Sequence, residues 1–321
     1  MSAENAANSR RYARWPARVL HALKADSHQH RFLTKVCDAI RLETVGEVDI
    51  TVIADNGGFK AFDPLERLVE GEIEFFTIMG NGLGKLVPAA EIQGVPFAFA
   101  DSAAVHRAND GELGAHLTRE CAAKGIYRFR RGLMENGFRH VSTYNKPIQS
   151  VADLVGLKIR VPHARMVEDV IASFGAVPMP LGIEDLPASL RERKIDGHEN
   201  PLISFEAHNS IEVTPYISLT AHMWTGFNIL SSMQFWKRLP EQVQTIIDRH
   251  VTRYANEQRS WAQNRNRELE TQFAARGAFV SSVDRASLKG RLEPAFYRRW
   301  RAELGSKTWD LLEAEVGPLP R

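Results

Sequence analysis

From Glu241 to Arg276, directly after Leu239-Pro240, the chain runs without a glycine or a proline. Ile246, Ile247, Val251, Tyr254, Trp261, Leu269 and Phe273 are the main apolar residues of this stretch. As one helix at ~1.5 Å per residue it is longer than a small domain is wide. At roughly 150 residues per domain, a chain of 321 residues predicts about two domains. A helix of this length is expected to pack along both.

The rest of the chain reads as strands and helices in alternation, the pattern of an α/β layer structure. Val19 to Leu23 reads as a short strand. Asp26 and Ser27 offer a cap, and Phe32, Leu33, Val36, Cys37 and Ile40 recur at helical spacing. Val48, Ile50 and Val52 alternate with polar residues, as in a half-buried strand. Pro64 opens a helix through Val69, and a strand follows from Ile73 to Ile78. A second unit of the same kind begins near residue 155. It has a strand at Leu157–Val161, a helix ending at Gly175 and a strand at Ala176–Met179. A helix near Asp185–Arg193 and a strand from Ile195 complete it. PLERLVEGEIE (64–74) and PASLRERKID (187–196) both run from Pro through a short helix to Ile and an acid, a hint of two similar halves. The tail from Ser287 to Leu312 predicts two further helices.

Composition narrows the function. Apolar residues make up 44% and charged residues 25%, with a net charge of +2. A disordered chain would need lower hydrophobicity and a larger charge. A nucleic-acid binder would need a concentrated basic face. No apolar run approaches the ~20 residues of a membrane span. Cys37 and Cys121 are too few for a disulfide framework or a cysteine zinc site, and buried free thiols are expected. The first 17 residues read as a polar, frayed leader with no secretory apolar run. This leaves either a cytoplasmic protein or one whose signal has been removed.

The motifs that would carry covalent or metal chemistry fail. Gly80-Asn-Gly82-Leu-Gly84-Lys85 lacks the first glycine and the hydroxyl residue of a phosphate loop, and its third glycine comes too early for a dinucleotide fold. A turn where a ligand or another segment comes close remains. His198-Glu199 is not the start of a two-histidine zinc motif, and no G-x-S-x-G elbow is present. No cofactor, metal or catalytic residue is expected. What stands out is Arg160, set among Leu157, Ile159 and Val161, with Arg139 upstream and Asn200 after the turn IDGHEN. A buried arginine needs an anion, and its planar fork suits a carboxylate. The anion is either a ligand or an acid of the same domain.

Taken in order, NGFRHVSTYNKPI (136–148), VADLVGLKIRVPHA (151–164), FGAVPMP (174–180), KIDGHENPL (194–202), YISLTAHMW (216–224) and FWKRLPEQVQTII (235–247) resemble one family. It is the periplasmic solute-binding proteins of tripartite ATP-independent periplasmic (TRAP) transporters, of the DctP type. The resemblance covers about residues 18 to 315. It implies two α/β domains with mixed sheets, a cleft between them that closes on a ligand, and a long bracing helix. Its domains would be 18–138 plus 226–266, and 139–225 plus 267–321. It implies a monomeric periplasmic receptor, not an enzyme, that hands its ligand to a membrane permease. A ligand-sensing subunit with the same pocket is the alternative.

By the resemblance, Arg160 forms a two-pronged salt bridge with the ligand carboxylate, Arg139 touches the same group and Asn200 completes the clamp. The variable walls fall at Leu23, Met79, Asn81, Ile183 and Phe205, with Trp224 as a further candidate. Pro187 stands where the family often has an aromatic residue. Apolar Leu23, Met79 and Ile183 would leave hydroxyls or an ammonium unpaired at ~1–3 kcal/mol each. The expected ligand is therefore a small monocarboxylate with an apolar or aromatic tail, carrying one hydroxyl or keto group within reach of Asn81.

Overall fold

A computed structural model describes residues 13–59, 63–292 and 294–320. The chain begins with β1 (Trp15–Leu20), α1 (His28–Glu43), β2 (Val48–Ile53), α2 (Asp63–Glu70) and β3 (Phe75–Met79). A single turn, α3 (Gly80–Leu83), and a 3-10 segment at Pro88–Gly94 lead to α4 (Ser102–Asp110) and α5 (Glu112–Ala122). Three strands follow, β4 (Ile126–Arg128), β5 (Met134–Phe138) and β6 (His140–Thr143). Next come β7 (Lys158–Val161), α6 (Arg165–Ser173), β8 (Val177–Pro180), α7 (Leu186–Arg191) and β9 (Gly197–Asn200). The chain continues through α8 (Leu202–Ala207), β10 (Tyr216–Leu219), β11 (Trp224–Ser232) and α9 (Met233–Arg238). It ends with α10 (Glu241–Ala275), β12 (Phe279–Ser282), α11 (Arg285–Leu292), α12 (Ala295–Leu304) and α13 (Ser306–Val316).

The strands form two mixed sheets. One has the order β2-β1-β3-β11-β4, with β5 also paired to β11. The other runs β12-β10-β6-β9-β7-β8. In each, a strand-helix-strand-helix-strand run gives three parallel strands with the first in the middle, β2-β1-β3 and β8-β7-β9. In each, the third strand then pairs antiparallel with a later or earlier strand, β11 or β6. The two Pro-helix-strand segments seen in the sequence occupy the same place in both runs, so the halves share a topology. Parallel neighbours need a crossover, and the amphipathic helices supply it.

Two compact units divide the chain. One holds the described residues up to Met79, Gly114–Met134 and Phe227–Ser260. The other holds Gly80–Leu113, Glu135–Gly226 and the chain from Trp261 on. The helix α10 is unbroken, as the absence of Gly and Pro required, and its first 20 residues, 241–260, belong to the first unit. In the first unit the Ser27 side chain caps α1 by accepting the His30 N–H, and Phe75 stacks on Phe129 and meets Phe235 edge-on. Cys37 and Cys121 are buried and unpaired. The second unit packs Leu202, Phe205, Ile217, Leu269 and Phe273 in one cluster and Leu186, Leu190 and Ile195 in another.

The structure differs from the sequence reading in the first strand, the tail and the division into units. The first strand starts at Trp15, not Val19, because Trp15–Leu20 pairs residue for residue with Val48–Ile53. The expected leader thus loses its last three residues to β1, and its first twelve lie outside the described residues. The tail forms three helices, because Gly305 at φ +84° separates α12 from α13. Residues 80–113, expected with the first domain, belong to the second unit. Tyr297 Oη donates to the Pro96 carbonyl at 3.1 Å, and the Phe97 N–H donates to the His222 carbonyl at 3.0 Å. Residues 135–138, 226 and 261–266, also expected with the first domain, likewise fall in the second.

Candidate functional site

Along β7 the pattern is one exposed residue, Lys158, then three buried ones, Ile159, Arg160 and Val161. Arg160 is 3% exposed. It lies beside Met179 of β8 and His198 of β9. His198 and Asn200 are two apart on a strand, so Arg160, His198 and Asn200 share one face of the sheet. The Arg160 Nε and Nη2 both donate to the Leu181 carbonyl, at 3.0 and 2.6 Å. No carboxylate of the described residues lies within ion-pair distance of it. Burial lowers its pKa to about 10, so it stays charged at neutral pH. A buried cation without a contacting anion is costly, and the same geometry makes it a receptor for one.

Arg139, just before β6, has a different environment. Its Nε and Nη2 take both carboxylate oxygens of Glu199, Nη2 to Oε1 at 2.5 Å, and Nη2 also reaches the Glu199 carbonyl at 2.9 Å. Both side chains are buried. His222 Nε2 lies 3.4 Å from Glu199 Oε2, and its Nδ1 meets Thr220 Oγ1 at 2.8 Å. Burial alone would raise the Glu199 pKa. The charge and hydrogen bonds of Arg139, with His222 close by, prevail and hold it at about 2. Of the two partners open to a buried arginine, Arg139 has an acid of its own unit and Arg160 has none.

Asn200 is buried, with Oδ1 accepting from Arg139 Nη2 at 3.4 Å and Nδ2 3.1 Å from His198 Nδ1. His198 Nε2 is buried and has no hydrogen-bond partner among the described residues. Burial lowers the His198 pKa to about 3, so the ring is neutral. Phe205 is fully buried and its ring stands edge-on to His198 at 4.8 Å, so it belongs to the core behind the site. Ile183 is half-buried against Leu186, Leu190 and Ile195, two residues beyond the carbonyl that holds Arg160.

The structure thus gathers Arg160, Asn200 and Arg139, with Phe205 behind His198 and Ile183 alongside. The other expected positions have these surroundings. Trp224 is buried and donates Nε1–H to Glu135 Oε1 at 2.7 Å, a structural bond. Asn81 lines a pocket whose walls do not include Arg160, Arg139 or Asn200. Leu23 and Met79 are half-buried residues of the first unit. Sequence reasoning missed Glu199 and His198 as parts of the site. Both lie within DGHENP, and the signal was the count of charges, two buried arginines and one buried acid.

The Arg139–Glu199 pair carries a prediction. Glu199→Ala leaves Arg139 charged and buried without its anion, a loss of about 3–5 kcal/mol. Urea denaturation is expected to show this as a lowered midpoint. A loss under about 1 kcal/mol would refute the assigned pairing.

A family model described as DctP, bacterial extracellular solute-binding protein, family 7, matches residues 19–302. The chain belongs to this family. A curated family 7 relative, the C4-dicarboxylate-binding periplasmic protein DctP of Rhodobacter capsulatus, is 28% identical over 240 residues, 74% of this chain and 71% of that protein. The sialic acid-binding periplasmic protein SiaP of Vibrio cholerae is 24% identical, covering 84% of this chain and 83% of its own. Solved structures share the family 7 fold. A TRAP periplasmic solute binding protein from Chromohalobacter salexigens, with bound D-glucuronate, matches at a TM-score of 0.88 and 22% identity over 94% of this chain and 99% of that one. One from Sulfurospirillum deleyianum, with bound succinate, matches at 0.85 and 22% over 94% and 98%. No helix among the described residues is long and apolar enough to cross a membrane.

Proposed function

We propose that this chain is a periplasmic receptor that binds a small organic acid through Arg160 and delivers it unchanged to a membrane permease. The observation that carries this is the Arg160 guanidinium, buried, charged and without a carboxylate in contact. Membership of a solute-binding family supports the role. The Leu181 carbonyl holds Nε and Nη2 from one side and fixes the plane of the fork. A ligand carboxylate takes the remaining N–H groups, and Asn200, oriented by Arg139 and His198, offers its amide to the same group. Arg139, its charge matched by Glu199, acts by holding Asn200. Burial of the ligand carboxylate removes water, which strengthens the ion pair.

The apolar side chain of Ile183, two residues beyond the Leu181 carbonyl that holds Arg160, supports a ligand with an apolar or aromatic tail. The unpartnered His198 Nε2 supports a second reading, an acid with a hydroxyl or keto group beside its carboxylate. A thermal-shift screen separates these. Its arms are aryl and alkyl monocarboxylates, 2-hydroxy and 2-keto acids, uronates, and dicarboxylates such as succinate, with neutral sugars as controls. At ligand 100-fold over its Kd the added stability is about 2.7 kcal/mol, a rise of several degrees. Stabilisation confined to acids is expected. No response to any acid, with no acid released on denaturation and detected by mass spectrometry, would refute the reading.

A further inference from the structure

Within the second unit, a second pocket of about 540 Å³ opens beside the start of α6. Asn81, Lys85, Glu91, His163 and Arg165 supply most of its polar wall. Two of these side chains are more than nine-tenths buried, Asn81 at 7% exposure and Glu91 at 6%. Asn81 Oδ1 and Nδ2 and Glu91 Oε2 have no hydrogen-bond partner among the described residues. Arg165 is paired with Glu303 at 2.7 Å, so its charge is already matched.

The glycine-rich run explains how Glu91 reaches this pocket. A Cβ at Gly84 would overlap the Glu91 side chain, lying 2.9 Å from its Oε1. A Cβ at Gly80 would lie 2.7 Å from the Ala90 carbonyl. The motif that fails as a phosphate loop therefore lets the Pro88–Gly94 segment pack closely on α3 and passes the Glu91 carboxyl into the cavity. There it meets the first turn of α6, whose Ala164 cap has no side-chain hydrogen bond, and the Met166 N–H faces the carboxylate. Its second oxygen is left to the pocket.

We propose that this pocket is a second binding site, for a neutral polyhydroxylated molecule of about monosaccharide size. The volume is in the range of small-molecule sites. Of the unpaired atoms, Asn81 Oδ1 accepts, Asn81 Nδ2 donates, and Glu91 Oε2 accepts when ionised and donates when protonated. Hydroxyl groups do both, so adjacent hydroxyls satisfy all three atoms. A cation would meet Lys85 and Arg165, and an anion would meet Glu91, Glu168 and Glu303. A neutral ligand avoids both penalties.

Saturation-transfer NMR with glycerol, D-glucose and myo-inositol tests the site. At least one is expected to bind the wild-type chain saturably with a Kd below 10 mM, and to bind Arg160→Ala equally well. Glu91→Gln keeps the side chain's shape and replaces the accepting oxygen with a donor, and is expected to weaken polyol binding at least tenfold. Asn81→Leu is expected to do the same by removing both other atoms. Circular dichroism and retained organic-acid binding show that Glu91→Gln is folded. The proposal is overturned if none of the three probes saturates by 10 mM, if both pocket variants bind as well as wild type, or if Arg160→Ala removes the polyol. A lost acid response alongside intact polyol binding would refute the function proposed for Arg160 and leave this site standing.

Discussion

Arg160→Ala abolishes organic-acid binding and leaves the protein as stable as before, or slightly more so. Truncating one partner of a buried charge pair costs about 2–5 kcal/mol of affinity, roughly 30-fold to several thousand-fold. Stability behaves differently, because the ligand-free protein holds no ion pair at this position. Arg160 gives up its hydration for two hydrogen bonds to one carbonyl oxygen. Removing it takes away a buried charge along with its packing, and these effects oppose each other. The contrast with Glu199→Ala is the test. One variant loses binding and keeps its urea midpoint, and the other loses its midpoint. Arg160→Lys separates charge from shape. It retains the cation but not the fork, and is expected to bind at least tenfold more weakly than wild type. The charge itself is lost only as pH rises through about 10, so affinity is expected to hold across neutral pH and fall above that. Wild-type affinity in Arg160→Ala, measured by calorimetry with an acid from the screen, would remove the residue from its role.

Legibility followed the range of the interaction concerned. Local signals held. The Gly- and Pro-free run became one helix, Ser27 capped α1, and strand-helix alternation gave two parallel runs with the same strand order. These depend on periodicity and on caps within a few residues. Pairings across the chain were less visible. Arg139 and Arg160 are hard to tell apart in sequence, each a basic residue next to an apolar one in a strand-like stretch. Only the fold decides that Glu199, 60 residues from Arg139, meets one and not the other. Residues 80–113 follow β3 directly in the chain, yet their hydrogen bonds run to His222 and Tyr297. Asn81 was placed by its register after β3, and register carries no information on which cavity a residue lines. The bond from Trp224 to Glu135, 89 residues away, was likewise not visible in the sequence.

Acidification from pH 7.5 to 5.0 is expected to destabilise the protein by several kcal/mol, through histidines buried in their neutral form. His21 and His28 of the first unit are lowered to about 3 and about 4, and His140 and His198 of the second to about 3, in each case chiefly by burial. In the unfolded chain each titrates near 6.5. Below that pH the unfolded state takes up protons that the folded state refuses, so stability present above 6.5 is lost as pH falls toward the folded pKa. Each histidine contributes about 1 kcal/mol per pH unit in this window, or about 2 kcal/mol by pH 5. Glu91 works in the opposite sense. Burial raises its pKa to about 7, so the folded state takes up its proton first and gains stability as pH falls from 7 toward 4.5. The gain from Glu91 is smaller than the combined loss from these four imidazoles, and His222 is lowered in the same sense, so a net loss remains. Urea denaturation at the two pH values measures it. His140→Asn isolates one share, because His140 Nδ1 accepts the Ala221 N–H at 3.2 Å and an asparagine oxygen can take that bond. The variant's loss between pH 7.5 and 5.0 is expected to be about 2 kcal/mol smaller than that of the wild type. Equal wild-type stability at the two pH values would show that these rings take up protons in the folded state.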